Sequence, residues 1–432
     1  MNANELQGLG LNMLNRFAQS DWPDRLKVRR PIERLLYTGS RTGFQLVGAV
    51  SRQFGKSGTK LDSKQRLPAA AKGLFDLSIS DEQQMMRDTL QRFAKDVLRP
   101  AAHNADHDAV FPADIRLQAI ELGLNFYAVP EALGGMAAEQ SVVSNVLMAE
   151  DLGYGDFTLG AAILAPMGVA NALTRWGSKE QQEKYLPSFA EEVPPVAAFA
   201  VTEATPAFNP NQLQTSAKRD GSRYLLNGEK TLVLQAKAAE LLLVAAQLDG
   251  SPAVFIVEGG SDGLGFMEDP AMGLKAGETM KIRLQNVQAE KLGDSDFDYQ
   301  TFLDLGALAW CALAVGTCQA VQDYTANYAN ERIAFGEPIS HRQSVAFMIA
   351  DMAIETDAMR MLLWNAASLA EAGKPFHREA YLARLLCAEK SMKIGNDGVQ
   401  LLGGHGFTKE HPVERWYRDL RSVAVMHSGL HV

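Results

Sequence analysis

The chain has 432 residues, 47% of them apolar and 22% charged, with a formal net charge of −9. That length suffices for two or three domains with large cores, and the composition excludes a disordered or fibrous chain. The acidic balance argues against a nucleic-acid partner. Three cysteines, Cys311, Cys318 and Cys387, have neither metal-ligand spacing nor the pattern of a disulfide framework, which fits a reduced, cytoplasmic compartment and no metal site.

Residues 1–75 read as a basic N-terminal extension. The first 80 residues hold 13 Lys or Arg against 6 Asp or Glu, a net +7 that leaves −16 for the remainder. Leu6, Leu9, Leu11, Met13, Leu14 and Phe17 suggest a short amphipathic helix, and the Gly- and Lys-rich stretch at 55–60 reads as a linker. Nothing at the start has the order of a secretory signal. Such an arm suits contact with its own acidic body or with an anionic membrane surface. The first is the expectation.

Residues 76–192 carry helical periodicity. Ser80 and Asp81 are N-cap residue types, Met86, Leu90, Phe93 and Val97 share one face, and Pro100 is expected beyond that helix end. Further helices are predicted over 114–122, 139–152, 159–176 and 178–189. His103 and His107, four apart, read as surface residues without a metal role. Residues 193–295 change character: short apolar stretches at 196–201, 224–226, 230–233, 241–246, 253–257 and 280–284, with turn residues between, predict a small β domain. Residues 296–432 return to helices over 302–327, 345–372, 377–402 and 410–420, with Ser340 as a possible cap, which reads as a four-helix bundle.

The last hundred residues carry the motifs. Glu331-Arg332-Ile333-Ala334-Phe335-Gly336 precedes Gln343; Gln400-Leu401-Leu402-Gly403-Gly404 precedes Gly406-Phe407; and Pro412-Val413-Glu414-Arg415 leads to Arg418-Asp419. Arg and Gln supply donors for a phosphate or carbonyl edge, and the glycines let a backbone approach a ligand closely. In this order the elements resemble the C-terminal domain of the acyl-CoA dehydrogenases, and the α, β, α order of residues 76–432 is similar to that family throughout.

The resemblance implies an acyl-CoA dehydrogenase-like fold, with an N-terminal helical domain, a middle barrel-like β domain and a C-terminal four-helix bundle. It also implies FAD shared across a subunit interface, an acyl-CoA substrate, an undefined electron acceptor and a role in fatty acid and lipid metabolism. Arg332, Phe335 and Gln343 match the residues that reach FAD across the interface, and Gln400, Gly403 and Gly404 those at its adenosine end. Phe199, Val201 and Thr202 match the strand lying against the flavin. The implied assembly is a homodimer or homotetramer, or a hetero-oligomer with a catalytic homologue.

The chain departs from the pattern where the chemistry is done. The family's catalytic glutamate aligns with His427, and its alternative position falls on Gly306, beside Ala307. Asp304, two residues earlier, points to another side of the helix. Leu232 and Leu234 replace the usual Trp and Thr, and the segment Ala204–Asn209 lacks the usual glycines. Two readings stay open: a flavin-dependent dehydrogenase with His427 as base, or an inactive homologue that binds ligands or completes a partner's site.

Overall fold

The computed structural model describes residues 78–137, 140–294, 296–426 and 430–432. The basic extension, with its predicted amphipathic helix and linker, lies outside the described residues, as does His427.

Helix α1 (Asp81–Phe93) starts where the cap residues predict. The Ser80 hydroxyl accepts from the Gln83 amide at 3.1 Å while the Gln83 side chain accepts from the Ser80 amide at 3.0 Å. This reciprocal pairing satisfies two otherwise orphan donors. Pro100 does not follow the end of the helical run. A five-residue π turn, Ala94–Leu98, carries the chain into α2 (Arg99–Asp108), with Pro100 in its first turn. The wider turn absorbs the hydrogen bond that proline cannot donate. Helices α3 (Ala113–Glu121), α4 (Val142–Gly155), α5 (Phe157–Trp176) and α6 (Lys179–Phe189) complete this part.

The β domain holds strands β1 (Ala197–Ala200), β2 (Ser216–Asp220), β3 (Arg223–Val233), β4 (Leu241–Leu248), β5 (Ser251–Glu258), β6 (Leu264–Glu268) and β7 (Met280–Lys291). Pairings run β4–β2–β3–β7–β5 and back to β4, a closed ring, with β1 parallel to β4 and β6 on β7. The two stretches predicted at 224–226 and 230–233 are one strand. Asn227 and Gly228 bend it through a register shift instead of ending it. Strands β2 and β6 escaped the apolar pattern because neither has a fully buried residue.

The C-terminal part is built on α7 (Tyr299–Glu331), α8 (Gln343–Glu371) and α9 (His377–Leu402), followed by the short α10 (Val413–Leu420). Arg342, not Ser340, is the N-cap of α8, and it makes no side-chain cap bond. Helix α7 packs against α4, α8 and α9. It is apolar all round, and most of it is buried inside the protein, as expected of a core helix. Its seam with α4 is set by glycines. A Cβ at Gly316 would stand 1.9 Å from the Glu150 carbonyl oxygen, and one at Gly153 2.4 Å from that of Leu313. All three cysteines are buried and unbridged.

Candidate active site

The motif residues of the C-terminal part are on the outside, and the Tyr328 hydroxyl, 2.9 Å from His405 Nδ1, joins the end of α7 to the glycine turn. Ile333–Ala334 and Glu337–Pro338 form a two-strand hairpin between α7 and α8, and its tip places Phe335 at φ +55°. The Phe335 ring is 96% exposed, with the Arg342 guanidinium 5.6 Å from its centre. Arg332 and Gln343 are also exposed. Gln400 sits on the outside of the last turn of α9. Gly403 and Gly404 follow it, Gly403 at φ +59°, and nothing lies within 4 Å of where a Cβ on either would stand. Leaving an aromatic ring in water forgoes about 2–3 kcal/mol of burial.

The strand residues lie inward. Phe199 and Val201 are buried, and Thr202 accepts the Thr231 amide at 2.9 Å just past the end of β1. The next residue, Glu203, is the anchor of the following loop. Its carboxylate accepts from the amides of Gln214 (2.7 Å) and Thr215 (3.0 Å), and from Lys230 Nζ at 2.7 Å. Lys230 also donates to the Val201 carbonyl. Burial pulls the lysine down to about 8 against the opposing pull of Glu203.

At the end of β3, Asp269 accepts from the Leu232 amide and the Thr231 hydroxyl, holding Leu232 at φ +55°. Leu234 packs toward Gly277 and Thr158. One residue on, Gln235 is buried, and neither end of its amide has a hydrogen-bond partner among the described residues. It faces a cavity of about 670 Å³ shared with Lys237, Lys275 and Glu278. Sequence reasoning passed over Gln235. The only signal was a polar residue directly after Leu234, where a polar contact was expected.

Helix α7 presents two different faces. Phe302 and Gly306, one turn apart, are buried. Leu303, Asp304 and Ala307 instead line a cavity of about 350 Å³ with Pro210, Asn211 and His377. Asp304 accepts from Gln300 at 3.0 Å, and His377 Nδ1 lies 2.9 Å from its Oδ2. Burial holds the Asp304 carboxyl above the ordinary carboxylate range, against these two hydrogen bonds. Asp304 therefore turns away from the face of Gly306, as the sequence spacing implied. Arg384, on the same cavity, donates to the Met426 carbonyl at 2.7 Å, immediately before His427.

The face of Phe302 meets an unexpected residue. The His431 ring lies 5.8 Å from Phe302, 6.4 Å from Phe199 and 5.1 Å from Trp176, centre to centre. A Cβ at Gly168 would come within 2.8 Å of the His431 nitrogen of the main chain. Leu430 and Val432 are buried alongside. Neither ring nitrogen of His431 has a hydrogen-bond partner among the described residues. Burial, reinforced by the Arg175 charge, lowers its pKa to about 3, so the ring is neutral. An unmet buried polar group costs about 1–3 kcal/mol.

The last motif is structural. Arg418 holds Asp106 of α2 through paired bonds of 2.8 and 3.0 Å. Arg415 reaches Asp156, the N-cap of α5, at 3.1 Å, and Asp419 accepts the Leu274 amide at 2.8 Å. These bonds pin α10 to both other parts of the protein.

The two sides differ in how they suit a flavin. The exposed donors and open glycine turn of the outer edge fit a group shared with a second subunit, and the orphan Gln235 amide fits the edge of a ring bearing both donors and acceptors. The Phe199 ring is packed between others, 5.7 Å from Phe302 and 6.4 Å from His431.

Comparison with known proteins matches this arrangement. Residues 80–192, 198–287 and 298–427 match the families described as acyl-CoA dehydrogenase N-terminal, middle and C-terminal domains. A probable acyl-CoA dehydrogenase, YngJ, of Bacillus subtilis (strain 168) is 32% identical over 81% of this chain and 95% of its own. The solved butyryl-CoA dehydrogenase from Megasphaera elsdenii superposes with a TM-score of 0.75 at 28% identity, covering 81% of this chain and 95% of that one. The FAD complex of PigA gives 0.74 at 25% identity, over 82% and 95%. This chain belongs to the acyl-CoA dehydrogenase family.

Proposed function

We propose that the protein binds FAD at a subunit edge and removes two hydrogens from an acyl-CoA thioester. The observation that carries this reading is the set of exposed motif residues: Arg332, Phe335, Gln343, Gln400 and the Gly403–Gly404 turn all face outward, in a fold whose solved relatives include an FAD complex. Phe335 in water and the apolar side chains of Phe347, Ile354 and Met361, seven residues apart along α8, support a homodimer or homotetramer. The bound flavin supplies the acceptor for a hydride leaving the β carbon.

This chain's residues do the rest. Arg332 and Gln343 donate to the cofactor from the adjoining subunit, while Gly403 and Gly404 let backbone approach its adenosine end. Thr202, with Phe199 and Val201 behind it, backs the ring, and Gln235 offers the amide that Leu234 cannot. His427 is the group assigned to take the α proton; a neutral imidazole is competent as a base near neutral pH. The three buried thiols support a cytoplasmic setting.

A second reading has its own observation. No carboxylate stands at Gly306 or Ala307, and Leu232 and Leu234 are aliphatic, which favours a subunit that binds without turnover and completes a partner's site. One experiment separates the two. The visible spectrum of the purified protein is recorded before and after anaerobic addition of acyl-CoAs of several lengths. Bound flavin that bleaches supports the dehydrogenase. Flavin that stays oxidised with every acyl-CoA supports the binding subunit, and a colourless protein rejects the self-sufficient enzyme.

A further inference from the structure

We propose that Asp419 is a pH-sensitive latch on residues 273–278: as a neutral acid it holds that segment against the cavity faced by Gln235, and on losing its proton it lets the segment loosen. The latch belongs to the fold and stands whether or not a flavin fills the cavity.

The charges at this joint do not balance. Asp419, on α10, is wholly buried. Three other carboxylates crowd it and take the cations. Arg415 is paired with Asp156, the N-cap of α5, at 3.1 Å. Arg418 is paired with Asp106 of α2 and with Glu414, one turn back, at 2.8 Å each. Lys275, on the segment itself, spends its charge on Asp106. Among the described residues no Lys or Arg forms an ion pair with Asp419. Its Oδ1 accepts the Leu274 amide at 2.8 Å, and its Oδ2 has no hydrogen-bond partner among those residues.

A buried carboxylate without a cation takes up a proton in preference to staying charged. Burial, reinforced by the Asp156 charge, pushes the Asp419 carboxyl up to about 7, against the Leu274 hydrogen bond and the two arginines. Ionised, Asp419 would bond the Leu274 amide more strongly but remain an unpaired charge in the interior. Water reaches it when the segment lifts, so ionisation favours the lifted state.

The segment is poised for this. Leu274 and Glu278 stand at φ +57° and +47° on either side of the 3-10 turn Lys275–Gly277, a backbone that residues other than glycine adopt at a cost. Gly273 makes the approach to α10 possible, because a Cβ there would stand 2.7 Å from Asp419 Oδ1 and 2.6 Å from the Arg418 carbonyl oxygen. Behind the turn, the Gln235 amide donates to the Gly277 carbonyl at 2.9 Å, and Glu278 accepts the Phe111 amide at 3.4 Å. Gly273, Lys275 and Glu278 line the cavity of about 670 Å³. The closed state is at full strength below the ordinary carboxyl value of 3.8 and weakens as pH rises toward about 7, beyond which nothing further is lost.

The test is hydrogen–deuterium exchange on the full chain at pH 5.0, 6.5, 7.5 and 8.5, corrected for the intrinsic rate. It is read on residues 273–278, with β4 as internal reference. Wild type should lose about tenfold or more of the segment's protection from pH 5.0 to 6.5, and less than about twofold from 7.5 to 8.5. Asp419→Asn keeps a carbonyl oxygen for the Leu274 amide but has no proton to lose, so its protection should change less than about twofold over the whole range. Asp156→Asn removes the nearest repelling charge, so the levelling-off should move to lower pH.

Protection in wild type that is flat with pH, or that falls equally in β4, overturns the latch. A slope left unchanged by Asp419→Asn overturns the assignment to this residue. Should circular dichroism show the Asn variant unfolded, wild type and Asp156→Asn decide, and a levelling-off that does not move overturns the proposal.

Discussion

Lys230 Nζ lies 2.7 Å from Glu203 Oε1, and both side chains are almost wholly removed from solvent. The pair ties β3 to the end of β1, while the same carboxylate holds the amides of Gln214 and Thr215. Breaking a buried pair by removing one charge leaves the other stranded, at a cost of about 3–5 kcal/mol. Glu203→Gln should lose stability in that range by urea denaturation. Glu203→Gln with Lys230→Met should recover much of it, because no uncompensated charge remains. An additive double variant would show that the two groups do not act as a pair.

The seating of His431 should depend on pH with a definite sign. Its folded pKa is lowered to about 3 from an ordinary value of 6.5. Between those values the ring in the unfolded chain binds a proton and the buried ring does not. The seated state is therefore at full strength above pH 6.5 and weakens as pH falls, by at most about 1.4 kcal/mol per unit. Thermal melts of wild type and His431→Phe at pH 7.5, 6.0 and 5.0 should diverge on acidification, the Phe variant losing less. Parallel curves would reject a buried neutral imidazole.

Removing an outer-edge donor should cost cofactor affinity and little else. Arg332 is exposed, so Arg332→Ala should leave the melting temperature of flavin-free protein within a degree or so, as is usual for surface changes. Loss of a hydrogen bond to a charged group, about 1.5–3 kcal/mol, should weaken FAD retention roughly ten- to hundredfold. Fluorimetric FAD titration measures it.

The apolar stripe on α8 gives a prediction about assembly. Phe347 and Ile354 are 59% and 65% exposed, so a charge at either is tolerated within one subunit. Phe347→Glu with Ile354→Glu should yield a folded monomer by sedimentation, with unchanged far-UV circular dichroism. An oligomer that survives the double change would move the interface elsewhere.

The α4–α7 seam should be intolerant of a methyl group. Gly316→Ala places a Cβ 1.9 Å from the Glu150 carbonyl oxygen, which belongs to backbone and cannot swing aside. A loss of about 1–3 kcal/mol or more is expected from overpacking, read as a lower denaturation midpoint without loss of helical signal.

Much of the fold was legible because local chemistry and burial agree. Ser80 and Gln83 announce α1 without help from the rest of the chain, and the predicted bounds of 377–402 coincide with α9. The misreadings have physical causes. Asn227-Gly228 carries turn chemistry but sits in a paired strand, and β2 has no apolar period because its side chains face water. Pro100 has the chemistry of a helix stop, and only the π turn before it, invisible in sequence, accommodates it. At the site, the outer edge was legible as motifs with a fixed spacing. His431 was not: a lone histidine among polar and apolar neighbours has no pattern, and its meaning comes only from Trp176, Phe199 and Phe302, more than a hundred residues away in sequence.

The three bonds that pin α10 bear on how the protein comes apart. Arg418 on Asp106, Arg415 on Asp156 and Asp419 on the Leu274 amide tie one short helix to α2, to the start of α5 and to the segment before β7. A helix moored to all three cannot leave its place without stranding a buried charge, and stranding one costs about 3–5 kcal/mol. The helical and β parts are thereby coupled and melt as one cooperative unit. Loosening the mooring, as in Asp106→Asn, would uncouple them and split one transition into two.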